Sequence, residues 1–201
     1  MKELKLVLDA SGARLVSSLV GGDWRSISGR RLVEVPGHVL GSVEYVTLRA
    51  SESNVEIRLD QVCSDFEGFE DDFDVLQVTS ASDERSPHES EGHIDFTFAE
   101  QTIQSIMLVR VRITQKQLGE LSWELSSDSG FVFNLSQGVV GVFKATLTGS
   151  RIFNIYFAEK MEELEFDDRS SEWTEGAELG EEYEVSREFI PIEDLLKPVG
   201  D

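Results

Sequence analysis

Runs in which apolar and polar residues alternate strictly constrain this chain more than any other feature. In NVEIRL (54–59), Val55, Ile57 and Leu59 fall on one side of an extended backbone, with Glu56 and Arg58 on the other. In MLVRVRI (107–113), Met107, Val109, Val111 and Ile113 oppose Arg110 and Arg112 in the same way. A period of two buries one face of a strand and does not give the stripe a helix needs. HIDFTF (93–98) and LSWEL (121–125) repeat the pattern. GVVGVFKATL (138–147) and RIFNIYF (151–157) are apolar on both faces and suit central strands, with Gly149-Ser150 as the break between them. The turn-rich SSDSG (126–130) before FVFNL predicts a hairpin return. Strands at such short intervals predict a mainly β fold, an antiparallel β-sandwich or a barrel-like closure, with one or two short helices.

Two segments read as helical. ARLVSSLV (13–20) places Leu15, Val16, Leu19 and Val20 at helical spacing, although the preceding KLVL equally suits a strand. In the segment around SDFEGFEDDFDVL (64–76), Val62, Phe66, Phe69, Phe73 and Leu76 fall within one arc of a helix, and Ser64 with Glu67 fits a capping box. That spacing predicts a short amphipathic helix whose phenylalanines face the body and whose carboxylates Glu67, Glu70, Asp71 and Asp74 face solvent. FIPIEDLLKP (189–198) predicts a terminal strand and a helical turn that dock as a clasp, while 79–93 and 160–188 are polar enough to read as exposed connections.

Charge is distributed in blocks. The chain has 201 residues and a formal net charge of -21. Residues 1–58 are close to neutral and 59–100 strongly acidic; 101–158 are again close to neutral and 159–201 strongly acidic. Trp24 in DWRSISG aligns with Trp123 in LSWELSSDSG, and GSVEYVTLRA (41–50) with GSRIFNIYFA (149–158). Two organisations fit this alternation. One is a pair of duplicated β-rich halves, 1–100 and 101–201, each ending in an acidic segment; the other is a single integrated domain.

The negative charge disfavours nucleic acid and an anionic membrane surface, both of which attract clustered Lys and Arg. MKELKLVLDASGARL lacks the apolar run of a signal peptide, so a cytoplasmic location is expected. Cys63 is the single cysteine, which excludes an internal disulfide and leaves a buried structural thiol as the expectation. No phosphate loop, dinucleotide fingerprint or nucleophile elbow is present, His88 and His93 are wrongly spaced for a helical metal pair, and no cofactor or metal is expected. The profile is that of an acidic binding protein that covers a basic surface on a protein partner, as an inhibitor or an immunity protein covers a cationic effector. Glu67, Glu70, Asp71 and Asp74 would steer and pair with cations, with Trp173 and Tyr183 as apolar anchors. Two alternatives stay open: a hydrolase whose carboxylate or metal site is drawn from distant positions, and a structural assembly subunit.

Overall fold

A computed structural model describes residues 2–35, 39–66, 69–82, 93–166 and 180–197. The alternating runs form strands β1 (Lys2–Leu6), β2 (Asp23–Val35), β3 (Val39–Ala50), β4 (Asn54–Phe66), β5 (Phe69–Ser80), β6 (His93–Gln117), β7 (Glu120–Leu135), β8 (Val139–Lys144), β9 (Ile152–Ala158) and β10 (Glu181–Pro191). Helix α1 (Ala10–Ser17) and two short 3-10 segments, Met161–Glu163 and Ile192–Leu196, complete the described elements. The mainly antiparallel β fold expected from the alternation is therefore present.

Pairing runs β1-β7-β8-β9-β3-β2-β6-β10, and β6 also pairs with β7. That last contact closes β7, β8, β9, β3, β2 and β6 into a ring, a six-stranded barrel without edges among its own members. Three additions leave it. The β4-β5 hairpin extends from β3, β1 lies beside β7 in the one parallel pairing among the described residues, and β10 lies beside β6. β6 is 25 residues long and serves both parts: Ile94–Thr97 pair with β2 in the barrel, and Met107–Gln117 pair with β10 in a flanking sheet. It also runs across residues 100 and 101, so strands from both ends of the chain share one sheet. Trp24–Ala50 spans two strands and Trp123–Ala158 spans three.

The barrel interior is filled by Ile27, Val46, Leu48, Ile106, Leu108, Phe131, Phe133, Val142, Phe153 and Ile155, all buried. Trp24 meets Phe133 edge to face, with ring centroids 5.0 Å apart. α1 starts where the Asp9 carboxylate accepts the Gly12 N–H at 2.7 Å, and it buries Ala13 and Val16 in the same cluster, joined by Leu19 just after its end. The Ile192–Leu196 turn packs against α1 and inserts Ile192, which is the clasp expected at the C-terminus. A second cluster lines one face of the flanking sheet β1-β7-β6-β10: Leu6, Val111, Ile113, Trp123 and Leu125, covered by Phe73 and Leu147. The opposite face is charged, with ion pairs Lys5–Glu3, Arg112–Glu124 and Lys116–Glu184.

Three expectations are corrected. Residues 62–76 form the end of β4 and most of β5, not a helix: Val62 pairs with Phe73, Phe66 with Phe69, and Leu59 with Leu76. Apolar positions placed symmetrically about a glycine-containing dipeptide mimic a helical stripe, yet they are also the facing pairs of a hairpin. Phe73 and Leu76 are buried as expected, whereas Val62 is 43% exposed. Second, SSDSG is not a turn. β7 continues through it with a bulge at Ser129, where the register steps from Gly130 opposite Val109 to Asp128 opposite Arg110. Third, Cys63 is exposed, on the part of β4 that pairs with Asp72. In addition, β10 begins at Glu181, within the segment read as a connection, because Tyr183 and Val185 supply an apolar face at strand spacing.

Candidate functional site

The acidic surface is assembled by aromatic packing on the outside of the barrel. Val109, Val132, Val139, Phe143 and Tyr156 form an apolar patch there, and the chain after β9 folds back over it through Leu164 and Phe166. Phe166 is the hinge of a ring stack, 4.9 Å from Phe143 and 5.4 Å from Phe189 of β10. The acidic stretch 159–165 is thereby laid against β10, with Glu159, Glu162, Glu163 and Glu165 exposed. Glu182, Glu184 and Glu188 are exposed too, but they alternate with Tyr183, Val185 and Phe189 and so point to the opposite, charged side of the sheet. Nearby cations are partly committed: Arg187 Nη2 donates to the Phe166 carbonyl at 3.4 Å, and Lys116 pairs with Glu184 at 3.4 Å.

The site residues expected from sequence separate into groups. Glu70 and Asp71 lie on β5 opposite Asp65 and Ser64. Their side chains, and all of Glu67 and Trp173, lie outside the described residues. Tyr183 is half-buried, its ring 5.8 Å from Trp123 and its hydroxyl accepting from Gln115 Nε2 at 3.1 Å, so it anchors β10 to its own sheet. Asp74 does not face solvent. It is fully buried, because on β5 it points at the 145–151 connection and not outward from a helix.

Asp74 is the centre of a polar cluster that the sequence did not reveal. Its Oδ2 accepts from Ser150 N at 3.2 Å and from Arg151 N at 3.0 Å, while Oδ1 has no hydrogen-bond partner among the described residues. Lys144, fully buried at the end of β8, donates to the Asp74 carbonyl and to Ser127 Oγ, the latter at 3.0 Å. A serine next to a lysine can supply nucleophile and base. Here both side chains have zero exposure, so the pair joins β5, β7 and β8 and presents no nucleophile to a substrate. The second buried carboxylate, Asp128, is gripped by Arg110 through Nε at 2.7 Å and Nη2 at 3.2 Å, and it accepts the Leu8 N–H at 2.6 Å. The visible signals were Lys144 ending an apolar run and Asp128 within a serine-rich stretch, each a charge where a buried strand needs a partner.

On the outer face of β3, β4 and β5, Thr47, Glu56 and Thr79 stand in register across three strands. With Arg49, Ser80, Ala81 and Ser82 they line an open polar groove of about 250 Å³. At its lip the hydrogen bond from Arg58 to Glu56, helped by the charges of Glu56, Asp60 and Glu44, raises the guanidinium pKa above its ordinary value. Among the described residues no three His, Cys, Asp or Glu side chains converge to hold a metal, and no helix is long and apolar enough to cross a membrane. Fold and surface together define an acidic, mainly β barrel protein with a flanking sheet. No protein-family model, no curated protein and no solved structure matches the chain.

Proposed function

We propose that this protein is a non-enzymatic binding protein that covers a basic surface on a protein partner, in the manner of an inhibitor or immunity protein directed at a cationic effector. The observation that carries the reading is the Phe143–Phe166–Phe189 stack, which docks the acidic 159–165 segment on the outside of the barrel with Glu159, Glu162, Glu163 and Glu165 exposed. A net charge of -21 adds long-range attraction for a cationic partner. Glu67, Glu70, Asp71 and Trp173 stay within the reading as further contacts. Asp74 and Tyr183 leave it, since the fold employs both internally.

Such a face acts first on encounter. Exposed charges are screened beyond about 8 Å at physiological ionic strength, so steering weakens as salt rises. The test begins with affinity capture from the native cell. The captured partner is then mixed in a stopped-flow instrument with wild type and with the combined variant Glu159→Gln, Glu162→Gln, Glu163→Gln and Glu165→Gln. Association of the variant should be at least about tenfold slower at low salt, with the gap closing as salt is added. Equal rates at low salt would remove the assignment of this face, and capture of neutral or acidic proteins alone would remove the wider reading.

A further inference from the structure

Strand β1 (Lys2–Leu6) pairs with β7 on one side, and among the described residues its other side has no strand neighbour. In a parallel pair, alternate residues turn both N–H and C=O toward the neighbour, so the intervening residues present theirs outward. An edge of this kind is a template for another strand. We infer that a second copy of this chain occupies it, with the two β1 strands antiparallel about a twofold axis at Leu4.

The sequence KELKL is self-complementary in that register. Residues whose numbers sum to eight face each other, so Glu3 meets Lys5 of the second copy, Lys5 meets its Glu3, and Leu4 meets its Leu4. Centring on Glu3 or on Lys5 instead sets like charges opposite each other, and a shift by one residue sets Leu4 against Lys5 on the wrong face. Facing residues share a side of the sheet. Leu4 and Leu6 lie with Trp123 and Leu125 on the apolar side, and Leu4 is only half-buried, which leaves it surface to cover. Glu3 and Lys5 already pair at 2.7 Å on the charged side, with 40% and 60% of their side-chain surface exposed.

The position of the edge also resolves the repulsion between two chains of charge -21. Within the flanking sheet, β7 and β6 separate β1 from β10, a distance of roughly 14 Å at about 4.8 Å per strand. Residues 2–14 are nearly balanced, with Lys2, Lys5 and Arg14 against Glu3 and Asp9, and Glu124, opposite Glu3 on β7, is paired with Arg112. In the dimer the sheet runs continuously from one β10 to the other, and the acidic faces are its outermost parts.

The test is sedimentation velocity on the full chain from 5 to about 500 μM at physiological salt. Five-residue strands form a small interface, so the wild type should dimerise with Kd in the range of about 10 to 300 μM. Glu3→Lys alone and Lys5→Glu alone each place like charges opposite and should weaken the dimer at least tenfold. The double exchange Glu3→Lys with Lys5→Glu should restore it, and an equimolar mixture of the two single variants should give a heterodimer. Both positions are exposed, so circular dichroism should be unchanged throughout. A wild type that stays monomeric at 500 μM, a dimer that the single exchanges leave intact, or a failure of both the double exchange and the mixture to restore association would each overturn the inference.

Discussion

Replacing Asp74 by alanine tests the correction that matters most, because a surface carboxylate and a buried clamp respond in opposite ways. The Asp74 carboxylate has no exposure and its Oδ2 accepts two backbone N–H groups, Ser150 at 3.2 Å and Arg151 at 3.0 Å. Arg151 is held at φ 49, a conformation an L residue adopts at a cost. A hydrogen bond to a charged acceptor contributes about 1.5–3 kcal/mol. Ser150 and Arg151 are half-buried, so water recovers part of the loss, and the lower end applies to each bond. The expected destabilisation is about 3 kcal/mol for Asp74→Ala. For Asp74→Asn, whose amide oxygen still accepts from both donors as a neutral group, it is about half that. With a urea slope near 3 kcal/mol per molar for a chain of this size, Asp74→Ala should lower the midpoint by about 1 M. Hydrogen exchange should quicken at residues 145–151 in the same variant, since the clamp joins that connection to β5. A midpoint within about 0.2 M of wild type, with the slope unchanged, would refute the clamp and return Asp74 to the surface.

Three further outcomes follow from the same geometry. Arg110→Met leaves the fully buried Asp128 without its bidentate partner and should cost about 3–5 kcal/mol in urea unfolding, whereas exposed Arg112→Met should cost under about 0.5 kcal/mol. Gly130→Ala would place a Cβ 2.1 Å from the Val142 carbonyl oxygen beside the β7 bulge, so a loss of about 3 kcal/mol or failure to fold is expected, read from soluble yield and thermal melts. Leu118 and Gly119 join β6 to β7 with φ 52 and φ 84, the backbone of a type I′ turn, and Leu118 is 87% exposed. Leu118→Asn should therefore stabilise by about 1 kcal/mol, a rise of about 2–4 °C in Tm by calorimetry.

Strand content was legible from sequence because alternation is a local property: NVEIRL and MLVRVRI bury one face whatever lies beyond them. So was the C-terminal clasp, whose apolar residues have no other use than docking. Charge blocks were legible too, being sums over sequence. The β4-β5 hairpin was hidden because Val62, Phe66, Phe69, Phe73 and Leu76 satisfy helical spacing and hairpin symmetry at once. Only packing against Leu147 and Trp123 selects between the two. SSDSG misled for a related reason. Serine and aspartate favour turns when water solvates them, but Arg110, 18 residues before Asp128, and Lys144, 17 residues after Ser127, solvate them inside β7 instead. Sequence alone determined that this chain forms strands and is acidic. Tertiary structure decided which carboxylates are exposed, because a buried charge depends on partners far along the chain, and no local pattern records where those partners will be.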